Sequence, residues 1–150
     1  MQIRRVEPKR YIWPRIFATL IDYGIYFVLL YLYIIKFGDQ TSDGTYEVNG
    51  LLFLPVPTFW FLYFVVTEAF NQATPGHDIC KFIVVKANGE KIGLTDALKR
   101  RIVDPIDIFI YGIPALICIY KTPKFQRLGD LLAETVVVKK SDITETEVVF

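Results

Sequence analysis

Residues Ile16 to Ile35, IFATLIDYGIYFVLLYLYII, form a run of 20 residues whose only charge is Asp22, with Arg15 at the entrance. As a helix such a run spans roughly 30 Å, the thickness of a bilayer's hydrocarbon core, which predicts a transmembrane helix with Asp22 inside the membrane. An aspartate there costs about 2.5 to 3.5 kcal/mol on insertion scales, while each Leu, Ile, Phe or Val returns only about 0.3 to 0.6. Several apolar neighbours and a local polar partner are needed to hold it. A second run, Leu51 to Phe70, LLFLPVPTFWFLYFVVTEAF, is as long. Pro55 and Pro57 fall in its first turns, where missing amide donors matter least, and Glu68 lies near its far end. Two such runs in a chain of 150 residues, 53% of them hydrophobic, exclude an ordinary soluble domain and predict a small polytopic membrane protein whose first partner is the lipid bilayer.

The 17 Lys and Arg set the expected orientation. Five precede the first run (Arg4, Arg5, Lys9, Arg10, Arg15), and only Lys36 lies between the first and second. Six fall between the second and third apolar runs and five after the third. Short loops rich in Lys and Arg stay cytoplasmic, so a multi-pass plasma-membrane protein is expected, with its N-terminus inside and the loop Lys36 to Gly50 outside. The first run is too long for a cleavable signal peptide, carries Asp22 and lacks a small-residue cleavage site, so it is expected to be retained. Because topology accounts for the basic residues, no nucleic-acid partner is expected. Cys80 and Cys118 match no metal or redox spacing and read as ordinary apolar residues.

Between the spans, the loop KFGDQTSDGTYEVNG reads as irregular. After Asn71 comes an insert in which Thr74-Pro75-Gly76 signals a turn. Lys81 to Lys86, KFIVVK, reads as a strand, and Asn88-Gly89 could close a hairpin onto Lys91 and Ile92. Thr95 is placed to cap a helix through TDALKRRIV that ends at Asp104-Pro105. Thr135 to Lys139, TVVVK, could pair with Lys81 to Lys86 as a small cytoplasmic β element. That pairing bears on the third apolar run, Ile102 to Tyr120, which contains Gly112 and Pro114 and has basic clusters at both ends. A simple span would separate the two strands, so a broken or re-entrant segment is favoured. The expected fold is an all-α membrane protein with two full transmembrane helices, this third broken segment and the small β element. Residues 1 to 140 would form one domain and 141 to 150 a polar tail.

Arg15, Ala18, Asp22, Tyr26, Leu29 and Tyr33 recur at helical spacing and share one face. In an antiparallel hairpin Glu68 falls level with Ala18, which predicts one buried cluster of Arg15, Asp22 and Glu68. Two readings follow: a polar lock that fixes helix register, or an ion or proton site. Arg100 and Arg101, with Asp104 and Asp107, sit where an amphipathic helix meets the interface and read first as snorkelling anchors. His77 stands alone beside a turn. Asp130, after Arg127, reads as a loop or cap acid that could meet Arg15 or the arginine pair if the third segment folds back. No phosphate loop, metal spacing or nucleophile elbow appears, so no enzyme, metal or cofactor is expected.

Three blocks carry a resemblance: PRIFATLID at Pro14 to Asp22, TPGHDICKFIVVKANGEKIGLTDALKRR at Thr74 to Arg101, and FQRLGDLLAETVVV at Phe125 to Val138. Together they resemble the RDD family of small membrane domains, named for one arginine and two aspartates, to which Arg15, Asp22 and Asp130 correspond. His77 stands where many members have Lys or Arg, and Glu134 replaces a usual glycine. The resemblance implies a polytopic membrane protein, with transport, including cation/proton antiport in some members, and membrane assembly as the functions attached to it. From these readings the expected function is a small homo-oligomeric carrier in which Asp22 exchanges a proton for a monovalent cation, with Arg15 setting its acidity and Glu68 assisting. The alternative is a non-transporting assembly or regulatory module whose Arg/Asp cluster is structural.

Overall fold

The computed structural model describes residues 2–147 except Tyr111; Met1, Tyr111 of the third apolar run, and Val148, Val149 and Phe150 of the expected tail lie outside the described residues. Two helices are long and apolar enough to cross a membrane, Ile12–Phe37 and Gly50–Asn71. At 1.5 Å per residue the first is about 39 Å long. Its buried residues are Arg15, Ala18, Asp22 and Tyr26, a stripe at helical spacing. Phe17, Leu20, Phe27, Val28 and Leu32 are exposed around the rest of it. So much continuous apolar surface suits lipid and not water.

The second long helix opens with a tight 3₁₀ turn at Gly50–Phe53, continues as α-helix from Pro55, and widens into a π turn at Phe61–Val66. A π turn adds one residue to the local repeat. Phe64 and Val65 are buried within it, and Glu68 is buried in the turn that follows. The two long helices run antiparallel in the register the sequence predicts. Tyr33 donates to the Leu52 carbonyl at 2.7 Å, Tyr26 stacks on Phe59 at 5.5 Å, and Tyr23 lies 4.8 Å from Phe64, centroid to centroid. The connecting loop is more ordered than expected. Strands β2 (Asp39–Gln40) and β3 (Tyr46–Glu47) pair across a turn in which Gly44 takes a positive φ of 83°.

Gln72 ends the second helix in the left-handed region, and its side chain ties that end to Ile92 through both its carbonyl and its amide. A compact body follows. Short helix Pro75–Ile79 leads into β4 (Phe82–Lys86), which pairs antiparallel with β5 (Thr135–Lys139), Val84 opposite Val137. This is the pairing expected from the two Val-rich runs. One face of the ribbon, with Phe82, Val84 and Val137, packs on Ala18, Val65 and Ala97. The other, with Val85, Val136 and Val138, is covered by Val6 and Ile143. Those residues belong to β1 (Gln2–Val6) and β6 (Ile143–Glu147), which pair antiparallel. The expected polar tail is thus partly a strand: a Val-rich ribbon buried on both faces needs a second cover.

Helix Leu94–Ile102 begins one residue before the expected cap. Gly93 is the N-cap, and its N–H donates to Asp96 at 2.9 Å, so Thr95 lies inside the first turn. The third apolar run is broken. Helices Asp104–Phe109 and Ile113–Lys121 are separated at Gly112, which has a positive φ of 71°. Their lengths, about 9 and 14 Å, are too short for either to cross a hydrocarbon core.

Candidate functional site

The charged side chains singled out in the sequence gather where the body meets the two long helices, in two groups. The first is built on Asp22. Its Oδ1 accepts the Gly76 N–H at 2.7 Å, and its Oδ2 accepts the Thr74 hydroxyl at 2.5 Å. His77 Nδ1 stands 3.0 Å from the same Oδ2 and 2.8 Å from Thr74 Oγ1. With its proton on Nδ1 the ring donates to the carboxylate, and Asp22 has a donor on each oxygen. Local chemistry explains the shape. Thr74-Pro75-Gly76 opens the helix Pro75–Ile79, whose first amides lack partners, and Asp22 accepts one of them from another helix. A Cβ on Gly76 would collide with the Ala18 carbonyl and lie 2.8 Å from Asp22 Cγ, so only glycine permits this approach.

The second group is a closed ring of alternating charge. Asp130 pairs with Arg100; Arg100 Nε lies 2.7 Å from Glu68 Oε1; Arg101 Nη2 lies 2.5 Å from Glu68 Oε2. Arg101 Nη1 then reaches Asp104 at 3.1 Å, Arg127 Nη1 reaches the other oxygen of Asp104 at 2.9 Å, and Arg127 Nε returns to Asp130 at 3.7 Å. Three arginines and three acids make the ring neutral. Arg15 joins it from the first long helix, donating to Asp130 at 2.7 Å and to the Phe125 carbonyl at 2.6 Å. Asp130 also accepts the Arg127 N–H at 3.1 Å, as the cap of helix Leu128–Leu132. Tyr23 donates to Asp104 at 2.9 Å, and Arg100 to Thr135 at 3.0 Å.

Burial opposes ionisation of Asp130, but the guanidinium groups of Arg100, Arg15 and Arg127 outweigh it and hold the carboxyl far below the usual range. Asp107 is the contrary case: burial raises it, against weaker pulls from Arg127 and the Gly129 N–H. His77 is lowered, burial outweighing its bond to Asp22 and Arg101 adding to the effect. Among the described residues, no three His, Cys, Asp or Glu side chains gather to hold a metal ion.

The expected cluster of Arg15, Asp22 and Glu68 is corrected by this geometry. All three are buried at the hairpin's inner face, yet each pairs with the body: Arg15 with Asp130, Asp22 with the 74–77 segment, Glu68 with Arg100 and Arg101. The body presents complementary charge between the helices, and that takes precedence over pairing within the hairpin. Arg100 and Arg101 are not snorkelling anchors, being 0% and 2% exposed and fully enclosed in the ring. Asp104 is a ring member, while Asp107 stands apart, accepting the Gly129 N–H at 3.2 Å. His77, Thr74 and Gly76 are partners of Asp22 that charge and helical spacing alone do not reveal. The available signal is a turn motif beginning a helix and a lone acid in an apolar run.

The RDD family model matches residues 10–134. The chain belongs to the RDD family. That makes it a member of a family of small membrane proteins, in keeping with the two apolar helices. No curated protein and no solved structure matches it. Of the residues that give this RDD protein its resemblance, Arg15 and Asp130 meet directly, whereas Asp22 anchors the Thr-Pro-Gly-His segment on its own. At Glu134, where the family pattern has glycine, φ is +54°, a region in which glycine avoids the steric cost of a side chain.

Proposed function

We propose that this RDD protein is a membrane-anchored assembly module in which a transmembrane hairpin clasps a small cytoplasmic body through buried charge, and not a carrier working through Asp22. One observation carries this reading: the charges of the hairpin's inner face are paired within the chain, and Asp22 has no oxygen left without a donor. A transported cation would have to displace the Thr74 hydroxyl, the Gly76 N–H or the His77 ring and leave each unsatisfied in a low-dielectric setting, at about 1 to 3 kcal/mol per group. A fixed clasp instead uses buried ion pairs to specify one docking geometry.

The orientation that goes with this reading places the N-terminus, the body and the broken third segment on the cytoplasmic side of the plasma membrane. It is supported by the single Lys36 between the first two apolar runs against the many cations elsewhere. The broken segment would dip into the inner leaflet without crossing it. The outward apolar flanks of the hairpin would face lipid or the same flank of a second copy.

The test is trypsin digestion of the protein in membranes, wild type against Asp22→Ala. Arg100 and Arg101 resist cleavage in the docked protein because they are buried. In Asp22→Ala the hairpin stays in the membrane fraction while cleavage at these arginines rises. Equal resistance in both proteins would refute a clasp centred on Asp22.

A further inference from the structure

Arg10, Lys121 and Lys124 are exposed cations, and no ion pair among the described residues uses any of them. They come together because the first long helix starts where the broken segment ends. Arg10 stands just before helix Ile12–Phe37, and its guanidinium lies 4.7 Å from the ring centroid of Tyr120 and 5.3 Å from that of Phe125. Tyr120 precedes Lys121, and Phe125 follows Lys124. A tight turn folds the chain between the two rings: the Phe125 N–H donates to the Thr122 carbonyl at 3.2 Å, and the Gln126 N–H to the Thr122 hydroxyl at 2.8 Å. Each lysine is thus joined to a ring on which Arg10 rests. Asp142 and Glu7, the acids at that end of the first helix, lie near Lys9, and Asp142 is already held by Lys9 and by the Tyr11 hydroxyl, each at 2.8 Å.

Membrane topology calls for cations on this side of the chain, but not for their convergence or for the stacking that fixes one of them. Two rings hold one face of the Arg10 guanidinium and leave its N–H edge free. A planar fork of that kind meets two oxygens of a phosphate at once, and the lysines add point charge beside it. Depth narrows the partner further. Trp13 is 71% exposed and Tyr120 57%, and aromatic rings left open on a membrane protein settle at the headgroup level. Phe17 and Ile117, exposed one turn deeper on their helices, continue the surface into the hydrocarbon. A soluble polyanion would leave these apolar groups uncovered, and a zwitterionic headgroup would bring an ammonium against the three cations.

We propose that Arg10, Lys121 and Lys124 form a docking site for the headgroup of an anionic phospholipid of the inner leaflet, whose acyl chains lie along Phe17 and Ile117. The bound phosphate bridges the start of the first helix and the end of the broken segment. The proposal rests on the placement of the body beside the inner leaflet given above and makes no use of the clasp.

The experiment is native mass spectrometry of the delipidated full chain in detergent, titrated with dioleoylphosphatidylglycerol, dioleoylphosphatidylethanolamine or glycerol phosphate. Phosphatidylglycerol should bind one per chain, at least about tenfold more tightly than either of the others. Arg10→Gln should weaken it about fivefold, and Lys121→Gln combined with Lys124→Gln about 25-fold, roughly fivefold for each cation removed, at unchanged apparent Tm. Lys91→Gln combined with Lys99→Gln makes the same change in net charge at exposed positions on the body and should leave binding as it was. The proposal is overturned if wild type does not bind phosphatidylglycerol, if phosphatidylethanolamine or glycerol phosphate binds as tightly, if the folded Lys121 and Lys124 variant binds like wild type, or if the two double variants weaken binding equally. Asp22 and the ion ring are intact in every variant, so these results stand apart from the trypsin test.

Discussion

Asp130→Asn is the sharpest perturbation of the ion ring. The carboxylate serves Arg100 through one oxygen, Arg15 and the Arg127 N–H through the other, with Arg127 Nε 3.7 Å away. An asparagine keeps one acceptor and turns an amide N–H₂ towards guanidinium donors, so at least one arginine loses its partner while remaining buried. Breaking one partner of a buried pair costs about 3 to 5 kcal/mol, mostly from the stranded charge. For a chain of this size 1 kcal/mol moves Tm by about 2 to 4 °C, so Asp130→Asn should lower it by about 6 to 20 °C. The assay is thermal unfolding of the purified protein in detergent, followed by circular dichroism. Adding Arg15→Met to the variant removes one stranded charge and should recover part of the loss, giving a coupling of about 1 kcal/mol or more in a double-mutant cycle. A Tm within about 2 °C of wild type, where less than 1 kcal/mol would be involved, would show that the ring does not hold the fold together.

Glu134→Gly relieves a side chain held at φ +54° and should stabilise the protein by about 1 kcal/mol, seen as a rise in the same unfolding assay. Gly76→Ala places a Cβ against the Ala18 carbonyl and the Asp22 carboxylate and should destabilise by about 1 to 3 kcal/mol or more, as overpacking does, seen as a fall in Tm. The lowered pKa of His77 means that the unfolded chain binds its proton first as pH falls. Stability from His77 is therefore complete above about pH 6.5 and declines as pH drops from there towards the folded-state value. A plot of Tm against pH should show this limb, and His77→Gln should flatten it.

Periodicity made much of the fold legible. Unbroken apolar runs marked the two long helices, and short continuous Val-rich runs marked β4 and β5, because length and residue type are local properties. The shared face of Arg15 and Asp22, and the level of Glu68, followed from the same geometry. The partners did not. Arg100 and Arg101 are adjacent in sequence and look like surface cations on a short basic helix; only the placement of that helix beside Glu68 encloses both. Asp22 meets a segment more than 50 residues away, through a hydroxyl, a main-chain amide and the sole histidine, none of which advertises itself by charge. Strand β6 was hidden for another reason: alternating Thr and Glu reads as a solvated tail until a second face of the ribbon requires covering.

The clasp and the carrier differ most directly in flux. Purified wild-type protein in proteoliposomes, tested with sodium, potassium and lithium gradients and a pH-sensitive dye, should show proton movement no greater than in empty liposomes. Cation-dependent proton flux from wild type that disappears in folded Asp22→Asn would contradict the account and return Asp22 to the centre of a transport mechanism.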